Sequence, residues 1–134
     1  MTGAGLAGAA GLLLLLPACS HPAAVQLPPK SASASTVLGD YLVALKAGDC
    51  RTARALATKT FSHGDGELCG DLHVTAYTAL QGPATPSDHE VVYSTTLTTK
   101  GGDETVPDGE HIWFYSLDKQ PDGSWRLVGG GSGP

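Results

Sequence analysis

The stretch Glu110-His111-Ile112-Trp113-Phe114-Tyr115-Ser116-Leu117, followed by Pro121-Asp122-Gly123 and then Ser124-Trp125-Arg126-Leu127-Val128, decides the fold class. Aromatic and β-branched residues dominate it, and period two places His111, Trp113, Tyr115 and Leu117 on one face with Ile112 and Phe114 on the other. Pro-Asp-Gly supplies turn chemistry, so the two runs read as antiparallel strands over residues 111–117 and 124–128. Upstream, residues 89–99 alternate in the same way, with Val91, Tyr93, Thr95 and Leu97 against Val92, Ser94 and Thr96. The polar, Gly/Asp/Pro-containing segment 101–109 joins them. The C-terminal half is therefore an antiparallel meander of at least three strands.

Further upstream the period changes to that of a helix. Leu38, Tyr41, Leu42 and Leu45 recur at i, i+3, i+4 and i+7 after Ser35 or Thr36, and Gly48 stops the run. Asp49 caps a second expected helix over residues 50–60, with Ala53, Leu56, Ala57 and Phe61 as its buried side. Residues 62–67, with two glycines among polar side chains, read as a solvated loop. Leu72, Ala76, Ala79 and Leu80 predict a third helix over residues 71–80, stopped by Gly82-Pro83. Helices first and strands afterwards make an α+β fold, with the N-terminal helices packed on a curved antiparallel sheet.

The N-terminus carries a different signal. Residues 6–16 form an apolar run that includes five consecutive leucines. It is too short for a bilayer core, which needs about 20 apolar residues. It fits the apolar region of a secretory signal. Leu16-Pro17-Ala18-Cys19-Ser20 resembles the lipobox of bacterial lipoproteins. That resemblance implies cleavage after residue 18, lipidation of Cys19 with acyl chains such as palmitate, and an extracytoplasmic domain held to the membrane by that lipid. The alternative is an ordinary cleaved signal and a secreted protein. Residues 19–35 then comprise the lipidated cysteine and a flexible tether, rich in Pro, Ala and Ser with the single charge of Lys30. Residues 36–130 are the domain, and 131–134 a flexible tail.

With Cys19 assigned to the anchor, Cys50 and Cys69 remain as an even pair in an exported domain, which argues for a disulfide. His63 and His73 lie near them, but the spacings match no tetrahedral zinc signature, and no metal is expected. The net charge is −5 and no Lys/Arg cluster occurs, which disfavours nucleic-acid binding.

The order of elements, the phrase Asp40-Tyr41-Leu42-x-x-Leu45-x-x-Gly48-Asp49 and the ending Trp113-Phe114-Tyr115…Asp122-Gly123-Ser124-Trp125-Arg126-Leu127 resemble the nuclear transport factor 2-like superfamily. The resemblance implies a cone, in which a curved sheet wraps a helix and often encloses a pocket. Tyr41, Tyr77, Tyr93, Trp113 and Tyr115 are the candidate pocket-lining residues. Enzymes of the superfamily, isomerases and cyclases, use an Asp base or an Asp/His pair with a tyrosine donor. Asp40 and His111 are the candidates of those types here, and neither aligns onto a family catalytic motif. The bland alternative makes His111 a strand-end residue and the tyrosines amphipathic core. The expectation is thus a membrane-tethered, non-enzymatic module without cofactor, whose concave sheet face binds a small apolar ligand or an envelope protein. The alternative is an isomerase- or cyclase-type enzyme acting on a small apolar substrate in the cone.

Overall fold

Among the described residues, four strands form one antiparallel sheet in the order of the chain: β1 (His73–Tyr77), β2 (Glu90–Lys100), β3 (Gly109–Lys119) and β4 (Trp125–Gly131). The structure is a computed structural model, and it describes residues 1, 25–61, 67–78, 81–82 and 87–133. Strands β2 and β3 pair with Tyr93 opposite Tyr115, Thr95 opposite Trp113 and Leu97 opposite His111. Because directly opposed residues share a face, this register puts Val91, Thr95, Leu97, Trp113, Tyr115 and Leu117 on one side, where all six are buried. The other side carries Val92 and Ile112, both exposed.

Helix α1 (Ala34–Ala47) covers the buried face. The Ser33 hydroxyl accepts the Thr36 backbone N–H at 3.2 Å and satisfies one of the helix's unpaired donors. The helix ends where Gly48 takes a left-handed φ of 69°, a conformation glycine adopts without the Cβ penalty. Its stripe of Leu38, Tyr41, Leu42 and Leu45 is buried as the spacing requires. Helix α2 (Cys50–Ala55) starts at Asp49, whose carboxylate accepts from the Thr52 backbone N–H and hydroxyl at 3.1 and 2.7 Å. It is shorter than the expected 50–60. The Thr58 N–H donates to Leu127 O and the Leu127 N–H to Leu56 O, so the edge of β4 captures the backbone groups that would have continued the helix.

The expected third helix over residues 71–80 is corrected by β1. His73 pairs with Lys100 and Tyr77 with Leu97, with an irregularity between Val74 and Ala76. The segment also alternates, burying Leu72 and Val74 and exposing His73 and Thr75. Pairing with the free edge of β2 satisfies its backbone, whereas a helix there would leave that edge bare. Residues 79, 80 and 83–86 lie outside the described residues.

Residues 25–33, expected within the tether, lie in contact with the domain. Val25 and Ala32 pack against the core, the Thr52 hydroxyl donates to Val25 O at 3.4 Å, and Lys30 pairs with Asp122 at 3.2 Å. The apolar segment, Cys19 and residues 20–24 lie outside the described residues. No described helix is long and apolar enough to cross a membrane.

Candidate functional site: a buried carboxylate between two phenols

Three ionisable side chains meet under α1. Tyr41 comes from the buried stripe of the helix, Tyr115 from the inner face of β3, and Glu67 from the segment leading into β1. Both tyrosines have no exposed surface, and Glu67 is only 3% exposed. The Tyr41 hydroxyl donates to Glu67 Oε1 at 3.1 Å, and the Cys69 backbone N–H donates to the same oxygen at 2.8 Å. The Tyr41 ring meets Tyr115 edge-on at 5.4 Å between centroids and Phe61 at 6.2 Å, the geometry aromatic quadrupoles prefer.

Glu67 is a correction to the sequence reading, which placed it in a solvated loop. Its position follows from Cys69. The Cys50–Cys69 disulfide, expected from cysteine count, is formed, and it ties residues 67–72 to the start of α2. Glu67, two residues before a cysteine held at 1% exposure, is drawn inside with it. The cue available in the sequence was this adjacency to a cystine, with Leu68 between. Residues 62–66, including His63 and Asp65, lie outside the described residues.

Burial holds both phenols well above their ordinary pKa of 10.0. For Tyr41 the neighbouring Tyr115 and Glu67 add to the effect. For Tyr115 the Glu67 charge does so. Desolvation and a nearby negative charge both disfavour a phenolate. The Tyr115 hydroxyl and Trp113 Nε1 are buried without a well-directed hydrogen bond. Gly130 of β4 lies against both side chains: a Cβ there would stand 3.1 Å from Trp113 Nε1 and 3.2 Å from the Tyr115 ring.

The other expected site residues do not join this cluster. Asp40 is half-exposed on α1, although Tyr41 beside it is buried. His111 shares the inner face of β3 but sits at its end, where a ring nitrogen hydrogen-bonds Pro107 O. Since a carbonyl oxygen only accepts, Nε2 carries a proton. Tyr77 and Tyr93 are half-buried at the margin of the core. Tyr41, Trp113 and Tyr115 are thus brought together, while Asp40, His111, Tyr77 and Tyr93 stay peripheral.

Glu67 also reaches the wall of a cleft of about 250 Å³ between residues 67–72 and the β2–β3 connection. Leu68, Leu72 and Val106 give it apolar sides, with Asp71, Asp103 and Thr105 at its rim. The Asp103 carboxylate accepts from the backbone N–H groups of Thr105 and Val106, which hold its pKa below the ordinary value and brace the loop. Among the described residues no three His, Cys, Asp or Glu side chains gather to hold a metal. The arrangement is a buried polar knot of two phenols and a carboxylate, with the carboxylate forming part of the wall of one small amphipathic cleft. Compared with family models and with curated proteins, the chain matches none.

Proposed function

We propose that this chain is an extracytoplasmic lipoprotein, tethered to the membrane through Cys19, whose domain is a nuclear transport factor 2-like cone serving as a non-enzymatic binding module. The observation that carries the extracytoplasmic reading is the Cys50–Cys69 disulfide, since such bonds persist in oxidising compartments and are rare in the cytosol. The lipobox-like Leu16-Pro17-Ala18-Cys19 supplies the anchor. The Tyr41 and Tyr115 phenols support the non-enzymatic reading because both are sealed from solvent, whereas a catalytic group must meet its substrate. The cleft between residues 67–72 and the β2–β3 connection, with Leu68, Leu72 and Val106 as apolar walls and Glu67, Asp71 and Asp103 as acidic ones, supports the binding reading and suits a small amphipathic ligand with an apolar body and a polar donor.

A gentle-ionisation mass spectrum of protein extracted from its own membranes, without reductant, tests this. The expected mass is that of residues 19–134 with acyl groups and less two hydrogens, and a non-covalent adduct would name the ligand. An unlipidated soluble mass sinks the anchor. One observation favours the alternative, an isomerase- or cyclase-type enzyme: Glu67 stands between the Tyr41 phenol and the cleft. Proton exchange at the α-carbon of small cyclic ketones, followed by NMR in heavy water, decides it. Exchange by the native chain and none by Glu67→Gln would establish the enzyme, and no exchange by either chain leaves the binding module.

A further inference from the structure

Although the sequence holds no dense Lys/Arg cluster, three positive charges fall between residues 51 and 59, on the part of the domain that the N-terminal segment joins. Between residues 50 and 61 the chain carries Arg51, Arg54 and Lys59 and no carboxylate, although acidic residues outnumber basic ones 13 to 8 overall. All three are exposed, on α2 and the turn after it. Two carboxylates border the strip, Asp49 beside Arg51 and Asp122 across a hollow from Lys59, and Lys30 pairs with Asp122, so positive charge remains in excess there.

The N-terminal segment joins the domain at this strip. Val25 packs on the core, and its carbonyl accepts from Thr52, the residue after Arg51. Six peptide steps separate Cys19 from Val25, and at full extension they span only about 20 Å. A domain of about 100 residues has a radius of gyration near 13 Å and so is wider than that link is long. A lipid on Cys19 therefore cannot leave the domain free to turn any side to the bilayer. It holds the α2 side close.

We propose that the strip Arg51–Arg54–Lys59 docks onto anionic phospholipid headgroups, so that α2 faces the membrane and the outer sheet face with Ile112 points away from it. This rests on the lipoprotein reading above. The charges lie within a Debye length of about 8 Å of the surface only in that pose, so they feel the surface potential while the rest of the acidic domain is largely screened.

The test uses the lipidated chain in vesicles of phosphatidylcholine with or without phosphatidylglycerol. A short fluorophore is placed at Ala55→Cys or at Ile112→Cys, and a nitroxide-headgroup lipid quenches it at short range. In anionic vesicles, quenching at residue 55 is expected to exceed that at residue 112 by about threefold or more. The excess should collapse in high salt, in neutral vesicles and in the Arg51→Gln/Arg54→Gln/Lys59→Gln variant, as expected for headgroup electrostatics. Unchanged circular dichroism and an intact disulfide show that the variant has folded. Equal quenching at both positions, or an excess that survives loss of the three charges, overturns the docking while leaving the lipoprotein reading in place. A chain that carries no lipid and leaves with the supernatant overturns the lipoprotein reading itself, and the docking with it.

Discussion

Glu67 Oε1 accepts from two donors, the Tyr41 hydroxyl and the Cys69 N–H, and the two phenols beside it differ in one respect that mutation exposes. Tyr41 spends its hydroxyl on Glu67, whereas the Tyr115 hydroxyl has only a poorly directed contact with the Tyr41 hydroxyl. Leaving a buried acceptor short of a donor costs about 1–3 kcal/mol, while deleting an unpaired buried hydroxyl is close to neutral or stabilising. Tyr41→Phe is therefore expected to lower unfolding free energy by about 1–3 kcal/mol in urea titration, and Tyr115→Phe to leave it within about 0.5 kcal/mol or raise it. Equal losses from both would show that Tyr115 carries a share of the hydrogen bonding. At this scale the sequence was half legible. The stripe of α1 and the alternation of β3 aim Tyr41 and Tyr115 inward by spacing alone. Glu67 obeys no period, and what holds it inside is long-range: the Tyr41 hydroxyl and the nearby Cys50–Cys69 bond.

The disulfide is the clearest constraint at the scale of elements. It joins α2 to the segment before β1 across a separation of 19 residues. The chain-entropy argument assigns a loop of that size about 3 kcal/mol. Cys50→Ser/Cys69→Ser should lower the midpoint temperature by more than 10 °C in calorimetry, at roughly 4–8 °C per kcal/mol for a domain of this size. Strand β4 carries a second constraint, since its Gly130 lies under Trp113 and Tyr115. Gly130→Val forces those rings aside, with an expected loss of about 1–3 kcal/mol and a change in tryptophan emission. A silent Gly130→Val would mean that the sheet moves away at no expense.

Elements with two agreeing signals were legible: α1 has its apolar stripe and Gly48, β3 its alternation and flanking turns. Residues 71–80 were not, because Leu72 and Ala76 fit a helical stripe while Leu72 and Val74 fit a strand face. What separates the two is the unpaired edge of β2, a partner 20 to 27 residues away along the chain. The end of α2 was hidden for the same reason, its last carbonyl and amide partners being taken by Leu127.

For the whole molecule, the contact of residues 25–33 with the domain implies that the folding unit begins before the first helix. A chain starting at residue 25 should be more stable than one starting at residue 33, which keeps the Ser33 cap, by about 1 kcal/mol, the order expected from partial burial of Val25 and Ala32. Equal stabilities would make the contact incidental. The same global equilibrium responds to alkali with a definite sign. Tyr41 and Tyr115 have native pKa values raised above 10.0. Below pH 10 both native and unfolded chains hold these protons, so the stability is undiminished. Above it the unfolded chain releases protons that the native core retains, and unfolding becomes more favourable by about 1.4 kcal/mol per pH unit for each phenol. Two such groups make the slope about 2.7 kcal/mol per unit, steep enough to exhaust a marginal domain within a few units. Absorbance of phenolate at 295 nm, followed alongside circular dichroism, should show these two ionisations arriving only with loss of structure. If both phenols ionise while the fold persists, then solvent reaches the space around Glu67 in the native state. The sealed core would then be a pocket, and the enzymatic alternative would gain the access it lacks.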